Sequence, residues 1–139
     1  MSSINRIEAL RQKYRKQLAA AKVFESIKQQ LNALKPDIEE ISKVSDSSIS
    51  FSEEEMVITV TLDGKRSIIS LDKNSNEIVA KRLEDNIAVE IYLLVEEEDE
   101  VSIKTNVVPI YQKFKKEEAT PEFLLSTLLN ELFFDVTQR

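Results

Sequence analysis

The sequence predicts an α+β fold: a long N-terminal helix, an antiparallel meander of five or six strands, and a C-terminal helix packed on the sheet. Three observations carry that expectation. Apolar residues recur at three- and four-residue steps from Ile4 to Ile41, which is helical spacing. From Met56 they alternate instead, in short runs separated by turn residues, which is strand spacing. After Thr120 the helical spacing returns.

The first stripe reads Ile7, Leu10, Tyr14, Leu18, Ala21, Phe24, Ile27, Leu31, Leu34, Ile38 and Ile41, with Ser2 or Ser3 placed to cap it. From Phe24 the steps settle into a 3-4-3-4-3 seam, while upstream the seam drifts by a position. Pro36 lacks an amide and clashes with the preceding turn, so the sequence predicts a kink or break near it, with "PDIEE" opening a second segment. The serine-rich "SKVSDSSIS" then serves as a linker, and "ISFS", which overlaps its end, offers a first short strand.

In "MVITVTL", Met56, Ile58, Val60 and Leu62 share a face, Asp63–Gly64 is a two-residue hairpin signal, and "KRSIISL" is the answering strand. "DKNSN" reads as a turn, and "EIVAKRL" as a strand with a competing helical reading. "IAVEIYLLV" aligns Ile87, Val89, Ile91, Leu93 and Val95, and "VSIKTNVVPIY" alternates again with Pro109 suited to an edge or a strand end. Thr120, Pro121 and Glu122 form a helix start ahead of Leu124, Leu125, Leu128, Leu129, Leu132, Phe133 and Val136. That stripe is broad enough to cross the buried face of a sheet. Residues 1–44 thus form a helical segment and residues 45–139 an α+β body, together one compact domain.

The composition excludes more chemistry than it suggests. An apolar share of 42% with 32% charged residues is that of an ordinary globular chain rather than a disordered one. There is no histidine and no cysteine, so Ser-His-Asp and Cys-His constellations and imidazole or thiolate zinc sites are ruled out within the chain. Gly64 is the single glycine, which excludes a P-loop and a dinucleotide-binding fingerprint. The expectation is a protein that is not an enzyme, with no catalytic, cofactor or metal residues and no cofactor. No run reaches the length of a membrane span and the N-terminus lacks a signal-peptide core, so no membrane and a cytoplasmic location are expected.

Charge is divided along the chain. Residues 1–35 hold eight Lys/Arg against two acids, and residues 36–139 hold eleven against 23. Acids cluster at Glu53, Glu54, Glu55 and again at Glu96, Glu97, Glu98, Asp99, Glu100. In a simple meander both clusters, with Asp72, fall at one end of the sheet. The expectation is an acidic rim, suited to a basic partner or serving to solvate the turns. Calcium and magnesium loops need spaced ligands and a glycine that this run lacks.

The helix is also too long for the sheet it must cover: 35–40 residues span about 50–60 Å, strands of five to nine residues about 17–30 Å. Part of it should therefore fold back at Pro36 or meet another chain through Ile7, Leu10, Tyr14, Leu18 and Phe24. The expected function is a protein–protein interaction module (an adaptor, chaperone-like subunit or inhibitor) with a protein partner or a second copy. The alternative is nucleic-acid association through Arg11, Lys13, Arg15 and Lys16, which suffers from the spread of basic residues around the helix.

Overall fold

The computed structural model describes residues 3–52, 54–72, 74–83, 89–96, 100–106 and 108–136. The N-terminal stripe forms α1 (Ser3–Lys13) and α2 (Arg15–Ile41). The two are separated at Tyr14, whose backbone leaves the helical region at φ −108°, ψ 21°. The helical hydrogen-bond ladder nonetheless runs through it: the Tyr14 amide donates to the Leu10 carbonyl at 3.0 Å, and Leu18 donates to Tyr14 at 2.9 Å.

The expected break at Pro36 does not occur. α2 passes through that residue to Ile41. Pro36 and Asn32, whose carbonyl loses its helical donor to the proline, both lie on the exposed side, so the carbonyl is open to solvent rather than buried. On the opposite side Leu31 and Ile38 are buried, and their packing holds the turn in place. The chain therefore does not fold back there.

Among the described residues the body is one sheet of seven antiparallel strands in strict chain order: β1 (Ser48–Ser52), β2 (Val57–Leu62), β3 (Lys65–Leu71), β4 (Glu77–Arg82), β5 (Glu90–Val95), β6 (Val101–Thr105) and β7 (Gln112–Phe114). Seven strands exceed the expected five or six because "VSIKTNVVPIY" stops as a strand at Thr105 and a further short strand follows it, at Gln112–Phe114. The Val108 amide bonds back to Thr105, closing a turn ahead of Pro109, and the chain returns as β7. "EIVAKR" is a strand, not a helix. The Asp63–Gly64 turn has both central residues at positive φ, 51° and 79°, the signature of the two-residue hairpin turn. The serine linker is pinned to it: Ser45 Oγ donates to Asp63 Oδ1 at 2.8 Å, and Ser47 Oγ accepts from the Asp63 amide at 3.0 Å.

α3 (Pro121–Leu132) starts where the sequence placed it, with Thr120 Oγ1 accepting from the Phe123 amide at 3.2 Å. α2 and α3 cover the same sheet face. Ile58, Val60, Ile69, Ile78, Ile91, Leu93 and Val95 from the sheet meet Phe24, Ile27 and Leu31 from α2 and Leu124, Leu128 and Leu132 from α3. Removing so much apolar surface from water is the main stabilising term.

Among the described residues, one charged side chain, Arg82, enters this interior. The Arg82 side chain is wholly buried and makes a two-pronged contact with Asp135, Nη1 to Oδ1 at 2.6 Å and Nη2 to Oδ2 at 2.9 Å. Its Nη1 also donates to the Leu132 carbonyl at the end of α3 at 3.2 Å, and its guanidinium lies over the Phe134 ring. The pair locks the C-terminal end of α3 to β4. No helix among the described residues is long and apolar enough to cross a membrane.

Candidate functional site

The length mismatch between helix and sheet is resolved by projection. Every described side chain from Ile4 to Lys16 is exposed, and burial of the stripe begins only at Ala20. Ile4, Ile7, Leu10, Tyr14 and Leu18 are 70, 54, 54, 43 and 49% exposed, an apolar line with nothing on it. Phe24, grouped with them in the sequence analysis, is 4% exposed and belongs to the core. The stripe changes role between Leu18 and Ala20.

The strand pairings fix where this projection starts. β1–β2, β3–β4 and β5–β6 connect at one end of the sheet, and the Asp63–Gly64 turn lies at the other. α2 ends beside that hairpin turn, so its N-terminal end emerges at the first end, among the acids. There Tyr14, Leu18, Ala21, Met56, Leu71 and Asp72 line an open groove of about 310 Å³. Met56 has φ 52°, a left-handed backbone that a bulky side chain keeps only where its surroundings hold it. Its carbonyl accepts from the Leu71 amide at 3.1 Å, and its side chain packs at the margin of the core.

The acidic end is two patches with different surroundings. Glu96 and Glu100 flank Lys113 of β7, whose Nζ lies 3.5 Å and 3.0 Å from their carboxylates. Hydrogen bonding and charge from Glu100, with Glu96 behind it, hold the Lys113 ammonium above its ordinary pKa. Asp72 is instead exposed on the wall of the groove at the root of the projecting helix, and Glu54 and Glu55, also exposed, directly precede Met56 of that groove in the chain. Glu53, Glu97, Glu98 and Asp99 lie outside the described residues. Among the described residues no group of three or more acids is gathered closely enough to hold a metal ion.

No family model, curated protein or solved structure matches this chain. Its site is therefore read from its own geometry.

Of the basic residues singled out in the sequence, Arg11, Lys13, Arg15 and Lys16 are all exposed on the projecting segment. Lys13 lies over the Tyr14 ring, and Arg15 donates to the Gln12 carbonyl. They do not share a face. At 100° per residue Arg11 and Arg15 flank one side of the apolar line, Arg6 and Lys13 the other, and Lys16 points away.

Sequence reasoning missed a second grouping, on the sheet face that no helix covers. Lys104 Nζ sits 4.6 Å from the Tyr92 ring and 4.9 Å from the Tyr111 ring, while the two phenols donate to Glu90 and Glu77. Burial and then the Glu77 hydrogen bond push the Tyr111 phenol up to about 12; the Glu90 hydrogen bond, then burial, raise Tyr92. Glu77 is on β4, Glu90 and Tyr92 on β5, Lys104 opposite Tyr92 on β6, and Tyr111 just ahead of β7, so the grouping is assembled across the sheet rather than along one run of sequence. The alternation of β5 and β6 was the one available signal, since it put Tyr92 and Lys104 opposite the core.

Proposed function

We propose that the chain is a non-catalytic protein-interaction module that docks through its N-terminal helix, with the acidic end of its sheet as a second contact surface. The observation that carries this reading is the projection itself. Ile4, Ile7 and Leu10 hold a helical apolar line in water beyond the body, continued by the exposed Tyr14 and Leu18 at its root. Ordered exposure of that kind is costly unless a partner covers it, and an amphipathic helix is a standard unit of protein recognition. A chain without histidine, cysteine or a glycine-rich loop has little else to offer chemically, and the absence of cysteine fits a reducing, cytoplasmic setting.

Light scattering on size-exclusion fractions tests the self-association arm. The wild type is expected to exceed its 16.0 kDa chain mass, and Ile7→Asp with Leu10→Asp to return it to that mass with an unchanged melting profile. Docking onto a different protein is the other arm of the same reading. A nucleic-acid partner is supported by the exposure of Arg11, Lys13, Arg15 and Lys16 on the projection. It requires salt-dependent binding of generic RNA or DNA, lost on reversing those charges.

A further inference from the structure

We infer that the partner is a second copy of this chain, and that the projecting helix of one copy seats in the groove at the root of the other's helix. This rests on the interaction reading above and adds the occupant and its seat.

The two surfaces match in polarity and in sign. The helix offers Ile4, Ile7 and Leu10, edged by Arg11 on one side and by Arg6 and Lys13 on the other. The groove offers Leu18, Ala21, Met56 and Leu71, with Asp72 on its wall and Glu54 and Glu55 next to Met56. An apolar seam between oppositely charged margins is the arrangement that orients an encounter and penalises the wrong register. Lys113 of the same chain engages Glu96 and Glu100 of the other patch, whereas Asp72 lines the groove and the exposed Glu54 and Glu55 stand next to its Met56 in the chain.

A helix cannot occupy its own groove here. Tyr14 and Leu18, at its root, form one wall of it, while the tip runs outward with every side chain exposed. The tip of another copy can. From Ile4 to Leu10 is about 9 Å of helix and from Ile4 to Leu18 about 21 Å, so a tip laid against a root covers the whole exposed line. Each copy then gives one helix and receives one. Exchanged between the same two copies, the contacts make a pair about a two-fold axis.

A charge-swap experiment on the full chain tests the seat. Arg6→Glu/Arg11→Glu/Lys13→Glu reverses the helix, and Glu54→Lys/Glu55→Lys reverses the groove margin. All five side chains are exposed, so matching melting profiles show that folding is intact. Each set alone is expected to weaken self-association about tenfold or more at low salt, read by light scattering across a dilution series. The two sets combined in one chain restore attraction and are expected to recover most of the loss. If the wild type self-associates and neither reversal matters, or the combined chain stays as weak as its parents, the seat is wrong and the docking-helix reading survives. A wild type that stays a monomer at high micromolar concentration overturns the second-copy proposal outright, whether or not it binds RNA or another protein.

Discussion

The two halves of the N-terminal stripe have nearly the same sequence character and opposite fates. Ala20, Phe24, Ile27, Leu31 and Ile38 are buried against the sheet and α3; Ile4, Ile7, Leu10, Tyr14 and Leu18 face water. What separates them is not spacing or hydrophobicity but the length of the strands beneath. An amphipathic helix specifies that it will be covered and leaves the identity of the cover to the rest of the fold. Where the sheet ends, the same pattern changes from a core element to a docking element.

The largest way to break this comparison is to cut into the covered half. Ile27→Ala is expected to destabilise the protein by about 3 kcal/mol, because a fully buried isoleucine loses both transfer energy and close packing. Chemical denaturation with an unchanged slope would report it. The next effect comes through α3, which covers the same half and is fastened by Arg82. The Arg82 hydrogen bonds hold the Asp135 carboxyl below its ordinary pKa. A depressed carboxylate contributes stability that is present above the unfolded-state value and lost as pH falls through the folded one. Asp135→Asn should therefore lower the melting temperature at neutral pH and flatten its decline below about pH 4, the ordinary carboxylate range. An unchanged acid limb would show that the contact contributes nothing.

Pro36→Ala, in the covered half but on its solvent side, should instead stabilise by about 1 kcal/mol. The regained helix bond and helix propensity outweigh the freedom returned to the unfolded chain. The smallest expected change in stability sharpens the comparison most. Ile7→Ala and Leu10→Ala should leave the monomer's unfolding free energy within about 0.5 kcal/mol of wild type, as exposed positions do. A loss comparable to that of Ile27→Ala would mean the projecting half is covered after all.

Much of the architecture was legible before the structure because it is written in local chemistry. Asp63–Gly64 fits a turn with two positive φ values, Thr120–Pro121 is a helix start, and the switch from helical to alternate spacing marks the entry into the sheet. The connections that carry the described acids Glu54, Glu55, Asp72, Glu96 and Glu100 fall at one end because a meander alternates its connections. What stayed hidden depends on distance in space. Pro36 carries the same local cost wherever it sits, and only the packing of Leu31 and Ile38 shows that the helix tolerates it. Phe24 could not be told from Leu18 without knowing where the sheet stops. The Lys104–Tyr92–Tyr111 grouping and the Arg82–Asp135 lock join residues that no sequence window contains together.

A sheet whose order in space is its order along the chain also has a consequence for the route to the native state. Each strand needs only its immediate successor, so the loop-closure entropy of every hairpin is small and pairing can start at any of them. The expensive closures are those of the helices, and Arg82 with Asp135 spans 53 residues. The meander is then the early event and the clasp on α3 a late one. Substitutions at the Asp63–Gly64 turn should slow folding, whereas loss of the clasp should mainly quicken unfolding.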